Sequence, residues 1–195
     1  MYAVFLWSVD VRRNIVILVT NLEKLILNES LVARTIVGGL LISHDIRRDT
    51  CLIFHLMNEE YSMIFRGASL RRIYPDESSL GGVLRKTFRA IRSSRHKSSP
   101  HTGVIVLKRG FNDLVKECHG AKYWVANTGE DPLKIDLAAE SINVFIPMDV
   151  DCSIVQKSLR EAIFKPLKIP LAKFTIDQIV AVVQFLIDWR LQKLG

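Results

Sequence analysis

The chain predicts a single α/β domain, a mostly parallel sheet flanked by helices. Three observations carry that expectation. Apolar runs of strand length alternate with longer helical patterns, the order that builds crossover units and a parallel sheet. The 195 residues are enough for one sizeable core, so the whole of 1–195 reads as one domain. Hydrophobic residues make up 49% and charged residues 24%, the balance of a folded core under a solvated surface.

Residues 2–7 and 15–19 open the chain as strands. The second, Ile15-Val16-Ile17-Leu18-Val19, is apolar throughout and only as long as a buried strand. Residues 22–42 read as one helix containing Gly38-Gly39. No Gly-x-Gly-x-x-Gly or Gly-Lys-Ser/Thr accompanies that pair, so it predicts close helix packing rather than phosphate binding. Strands at 51–57 and 62–66 follow, joined through Asn58-Glu59-Glu60 as a hairpin turn. Residues 79–92 form a helix. Residues 93–101, made of Ser, Pro, His and basic residues, read as a flexible loop inside the domain. A strand at 103–107, a helix at 111–118, strands at 122–126 and 143–146, and helices at 153–164 and 175–193 complete the order. The last helix is apolar over more than one core-facing stripe: either it is buried on most sides or it also makes a subunit interface, and we read the interface.

Several classes are set aside. No apolar run reaches the ~18–20 residues of a membrane span, and no basic leader precedes an apolar core, so a cytoplasmic protein is expected. Cys51, Cys118 and Cys152 lie far apart with no CxxC, which predicts free thiols and no zinc site. Ser43-His44 lacks a Gly-x-Ser-x-Gly elbow, so hydrolase chemistry is not expected. His55 and His119 read as lone core or surface histidines, while His96 and His101 sit in the basic loop and could contact whatever that loop binds.

A formal charge of +7 and a pI near 9.5 favour an anionic partner. Two stretches concentrate the charge. Ser43-His44-Asp45-Ile46-Arg47-Arg48-Asp49 packs two carboxylates and two arginines between apolar segments, at an expected helix-to-strand corner. It suits polyanion recognition or proton chemistry; an internal ion-pair cluster is the alternative. Between Glu77 and Asp113 there is no carboxylate. Arg85, Arg89 and Arg92 stand there at i, i+4, i+7 spacing on one helix face, with Arg71 and Arg72 upstream. We read this as a phosphate-contacting surface rather than a merely solvated face. Aromatics are sparse in it, with Phe88 inside and Tyr74 nearby, so no base-stacking platform is predicted.

The heptapeptide resembles the signature of the archaeal TrmY group of SPOUT-class RNA methyltransferases. Further similar segments follow in the same order: Tyr74-Pro75-Asp76-Glu77, then Gly103-Val104-Ile105-Val106 with Gly110-Phe111 and Leu114-Val115, then Asn127-Thr128-Gly129-Glu130-Asp131, then Val144-Phe145-Ile146 and the final helix. The resemblance runs from about residue 31 to the C-terminus. It implies a SPOUT-like fold with a C-terminal trefoil knot and a homodimer formed through the last helix. It also implies S-adenosylmethionine as cofactor, and methylation of N1 of pseudouridine 54 in tRNA.

Carried onto this chain, the cofactor loops are 126–129, 146–150 and 167–175. They supply Ala126, Thr128, Gly129, Ile146, Met148, Asp149, Ile169, Leu171 and Thr175. Arg47 and Arg48 are expected on RNA phosphates, where a guanidinium binds bidentately. Arg72, Arg85, Arg89 and Arg92 extend that surface. Asp45 or Asp76 would orient or deprotonate the target base. The second loop departs from the family's glycine-rich pattern: Met148 and Cys152 stand at its glycine positions and only Asp149 is kept. Two alternatives therefore stay open, an RNA-binding protein of this fold without methyltransferase activity, or a methyltransferase for another RNA nucleotide.

Overall fold

A computed structural model describes residues 12–43, 45–135, 141–150 and 164–192. The strand expected at 2–7, nearly all of the helix expected at 153–164, His44 and Cys152 lie outside the described residues.

The centre of the fold is β1 (Arg12–Val19), whose last five side chains are all buried. Its unbroken apolar run is explained by position: β1 sits fourth of eight strands and is covered on both faces. It pairs in parallel with β4 (Thr50–Leu56) on one side and β9 (Ser141–Pro147) on the other. Ile15 lies opposite Leu52 and Val144. β8 (Ala121–Ala126) and β10 (Lys165–Lys168) extend the parallel half. β5 (Tyr61–Arg66), β7 (Val104–Lys108) and β6 (Lys97–His101) form an antiparallel half beyond β4, giving the order β10-β8-β9-β1-β4-β5-β7-β6. The sheet is therefore mixed, with five parallel strands and three antiparallel ones, where a mostly parallel sheet was expected. Tight hairpins at 57–60 and 102–103 reverse the chain where a helical crossover would have kept it parallel.

Two further expectations need correction. The loop expected at 93–101 contains β6, paired to β7 with a register shift between Ser98 and His101. Its polar composition, Lys97 and Pro100 suit an edge that must not recruit another strand. The helix expected at 22–42 is two helices, α1 (Leu22–Leu27) and α2 (Glu29–Leu40), followed by a two-stranded tip of β2 (Leu41–Ile42) and β3 (Asp45–Ile46). Asn28 makes the break. Its φ of −116° and ψ of 33° leave the helical region, and its side-chain amide donates to the Lys24 carbonyl at 2.8 Å. A side chain that competes for backbone partners disfavours helix interiors.

One face of the sheet carries α1, α2, α3 (Glu77–Arg92) and α5 (Ile176–Gln192) over the larger apolar cluster. The other carries α4 (Phe111–Glu117), with Phe145 edge-on to Phe111 and Phe164 at 6.2 and 4.8 Å. α2 and α5 pack against each other, and the glycine pair explains how. A Cβ on Gly39 would stand 3.2 Å from Val180 and 3.3 Å from Leu52. Gln184 of α5 donates to the Gly39 carbonyl at 2.7 Å. Burial under α2 and against the sheet accounts for most of the apolar width of α5. Gln178, Ala181 and Phe185 remain exposed on one face, Phe185 at 63%.

Candidate functional site

The parallel strands β1, β9, β8 and β10 end at the same edge of the sheet, where α/β folds place ligands. The three loops singled out above leave these ends. The first and third are stitched together: Ile169 N–H donates to Ala126 O at 2.9 Å and Leu171 N–H to the Asn127 side-chain oxygen at 3.0 Å. Gly129, at φ +147°, passes so close to β10 that a Cβ would lie 2.4 Å from the Pro166 carbonyl.

Beside these loops lies a cleft of about 470 Å³, within the range of small-molecule sites. Of the expected cofactor residues, Met148, Asp149, Leu171 and Thr175 line it. Ala126, Thr128, Gly129, Ile146 and Ile169 do not; Ile146 and Ile169 are core residues, at 0% and 2% exposure. The described part of the altered loop, Pro147 to Val150, lines the cleft. Met148 N–H continues the sheet by donating to Leu18 O at 2.9 Å, and the Met148 side chain packs against the main core. Asp149 Oδ1 accepts the Thr20 N–H at 2.8 Å, tying the loop to the end of β1. Lys24, Asn28, Phe174, Ile176 and Ile179 complete much of the wall and were not among the expected residues. Lys24 and Asn28 had no legible signal, because the helix that carries them read as continuous.

The heptapeptide lies at the other end of α2. Its charges are paired internally. Arg47 meets Asp188 of α5 at 2.7 Å, and Arg13 of β1 meets both Asp188 at 2.6 Å and Asp49 at 2.8 Å. Arg13 is 5% exposed and also donates to Gln184 at 2.9 Å. Two arginines thus balance two carboxylates between β1, α5 and the corner. Arg13, Gln184 and Asp188 escaped the sequence reading, since nothing in their local pattern marks them as partners.

Arg48 is freer. It pairs with Asp45 at 2.9 Å and donates to the carbonyls of Gly67 and Leu70 at 3.2 and 3.1 Å, clamping the following loop to the corner. Gly67 is required there, because a Cβ would fall 1.9 Å from Arg47 O. His101 ties the far side of the same loop through the Arg71 carbonyl at 2.7 Å. Arg72 holds a φ of +54°, uncommon for a residue with a side chain, and it is exposed.

Both candidate carboxylates are exposed and held below the usual carboxylate range. For Asp45 the cause is the Ile46 N–H, then Arg48. For Asp76 it is the Ser78 hydroxyl, then the Ser79 N–H. Asp76 is the N-cap of α3, accepting from Ser79 N–H at 2.7 Å. α3 buries Leu80, Leu84, Phe88 and Ile91 and turns Arg85, Arg89 and Arg92 outward. Arg85 approaches Glu29 at 3.4 Å, an exposed pair, while no ion pair is seen for Arg89 or Arg92 among the described residues. Among those residues no group of three metal-binding side chains occurs, and no helix is long and apolar enough to cross a membrane.

Comparison with known proteins bears on this arrangement. Residues 28–190 match the family described as "Putative SAM-dependent RNA methyltransferase". The tRNA (pseudouridine(54)-N(1))-methyltransferase of Methanopyrus kandleri is 30% identical over 120 residues, covering 58% of this chain and 56% of that protein. The enzyme of the same name from Haloferax volcanii is 33% identical over 90 residues, 44% of each. The chain spans about half the length of the curated relatives it matches. Among solved structures, Archaeoglobus fulgidus Nep1 bound to S-adenosylhomocysteine superposes with a TM-score of 0.57 at 15% identity, over 83% of this chain and 70% of that one. That likeness is one of fold.

Proposed function

The chain belongs to this SAM-dependent RNA methyltransferase family, and from that premise we propose that it methylates N1 of pseudouridine 54 in tRNA, in the cytoplasm, as a single-domain homodimer. The observation that carries the reading is the open cleft at the carboxyl ends of the parallel strands, walled by two of the three loops that the resemblance assigns to the cofactor. The names of the archaeal relatives supply the substrate.

S-adenosylmethionine, when bound there, supplies the methyl group. Met148, Asp149, Leu171 and Thr175 would hold it, with Ala126, Thr128, Gly129, Ile146 and Ile169 setting the loop backbones behind them. A trefoil knot accords with the loops after β8 and β10 being hydrogen-bonded to each other.

On the RNA side, Arg48 and Arg72 would meet phosphates beside the target, and Arg85, Arg89 and Arg92 would track the backbone further out. Arg47, bound to Asp188, contributes by fixing the corner. Asp45 and Asp76 stay ionised and weakly basic, so they suit accepting a hydrogen bond from the base N–H better than removing its proton. A base stacked in folded tRNA must be unstacked to reach them.

Geometry favours the dimer. The cleft meets the N-terminal end of α2 at Asn28 and Leu31, whereas the corner follows its C-terminal end. Twelve helical residues separate them by ~18 Å. One copy's corner cannot hold a base against its own cleft. A second copy docked on the exposed Gln178, Ala181 and Phe185 face of α5 supplies the missing half. Methyl transfer depends on such positioning more than on acid–base help.

Incubating unmodified tRNA with the protein and S-adenosylmethionine, followed by mass analysis of the nucleosides, tests the substrate. N1-methylpseudouridine at position 54 is expected. Methylation elsewhere, or calorimetric silence with the cofactor and retained tRNA binding, would replace the reading by one of the two alternatives.

A further inference from the structure

Among the described residues lining the cleft, two carry full charge, Lys24 and Asp149. Most of the remaining wall is apolar, including Leu31, Ile179 and the ring of Phe174, which is 41% exposed. Lys24 is upstream of residue 28, where the family match begins, so no relationship assigns it a role. Its place is nevertheless fixed. Asn21 caps α1 by accepting the Lys24 N–H at 3.0 Å, Glu59 accepts the Leu22 N–H at 3.0 Å, and Asn28 closes on the Lys24 carbonyl. Among the described residues the Lys24 ammonium makes no ion pair. Asp149 is fixed as well: one oxygen accepts the Thr20 N–H, and among the described residues no hydrogen bond engages the other.

A cleft whose described wall carries one cation, one anion, the polar Asn28 and Thr175 and otherwise apolar side chains fits a ligand that is zwitterionic in one part and flat and weakly polar in another. We propose that Lys24 binds the α-carboxylate, and Asp149 the α-ammonium, of the cofactor's amino-acid end, leaving Phe174 and its apolar neighbours to the adenosine. This rests on reading the cleft as the cofactor site. The two residues then set which nucleosides the cleft accepts: S-adenosylmethionine and S-adenosylhomocysteine over nucleosides that lack the amino-acid tail.

Calorimetric titration with two probes separates these roles. S-adenosylhomocysteine has both ends; 5′-methylthioadenosine has the adenosine and the thioether alone. Lys24→Met should weaken S-adenosylhomocysteine about three- to tenfold, as expected for a partly solvated charge-assisted contact, and leave 5′-methylthioadenosine unchanged. Asp149→Asn, which keeps an acceptor for Thr20, should show the same selectivity. Phe174→Ala should weaken both probes. Equal loss on both probes in Lys24→Met, or no loss on either, overturns the assignment while the cofactor reading of the cleft stands. Wild-type protein that binds neither probe overturns both.

Discussion

The two ends of α2 are built on opposite physics. At one end, four charged side chains from β1, α5 and the corner pair with one another, both arginines largely out of solvent. At the other, an apolar cleft carries a lone lysine and a carboxylate with one oxygen engaged. The corner is largely closed by its own ion pairs, with Arg47 Nε left without a hydrogen-bond partner among the described residues. The cleft has charges left over, which is how a small-molecule site looks before it is filled.

The contrast can be broken from either side. The largest effect should come from Gly67→Ala, which drives a Cβ into the Arg47 carbonyl and costs roughly 4 kcal/mol by overpacking against backbone. Denaturant unfolding measures that cost. At low temperature, where folded protein remains, tRNA binding should collapse while S-adenosylhomocysteine binding persists. Parallel loss of both ligands would mean the two regions are one cooperative unit.

Asp188→Asn comes next. It strips Arg13 and Arg47 of a shared counter-charge and should cost about 3 kcal/mol in unfolding experiments, since a buried cation loses its partner. A cost near zero would show that solvent reaches these arginines easily.

Acid should act on a third place, within the sheet. His55 is fully buried, its Nδ1 3.0 Å from Ser62 Oγ, which in turn accepts from Arg109 Nε at 2.9 Å. The serine hydroxyl then donates to a neutral ring. Burial, followed by the Arg109 charge, lowers its pKa to about 4. The folded state thus resists a proton that the unfolded chain takes up near pH 6.5. Stability from this group is complete above pH 6.5 and declines as pH falls towards 4, by roughly 3 kcal/mol in total. His55→Gln should flatten that slope between pH 6.5 and 4 in denaturation midpoints; an unchanged slope would assign it to other groups.

The smallest effect belongs to Asp76→Ala, which removes the N-cap of α3 at a cost of about 1 kcal/mol. Methyl transfer should fall by more than this stability loss explains, if Asp76 also meets the base. Full activity in the folded variant would leave it a cap alone.

These regions also differ in how much of them the sequence shows. The strand order's apolar members, the hairpin at 57–60 and the glycine-packed helix were legible because burial writes itself as runs of Val, Ile and Leu. β6 and β10 were not, because an edge strand such as Lys97-Ser98-Ser99-Pro100-His101 needs little apolar surface. The corner's charges announced themselves, yet their partners Arg13 and Asp188 lie 36 and 139 residues from Asp49, and only folding brings them together. Of the cleft's lining, Met148, Asp149, Leu171 and Thr175 were marked by resemblance. Lys24 was hidden by a helix break that a single asparagine creates.

In the proposed dimer, one copy's corner serves another copy's cleft. Co-expression of two inactive variants tests it. Asp45→Ala with Arg48→Ala disables the corner, and Leu171→Trp fills the cleft. Mixed dimers purified on two tags should regain methyl transfer to tRNA, because each holds one intact corner facing one intact cleft. Mixed dimers as inactive as either parent would contradict it.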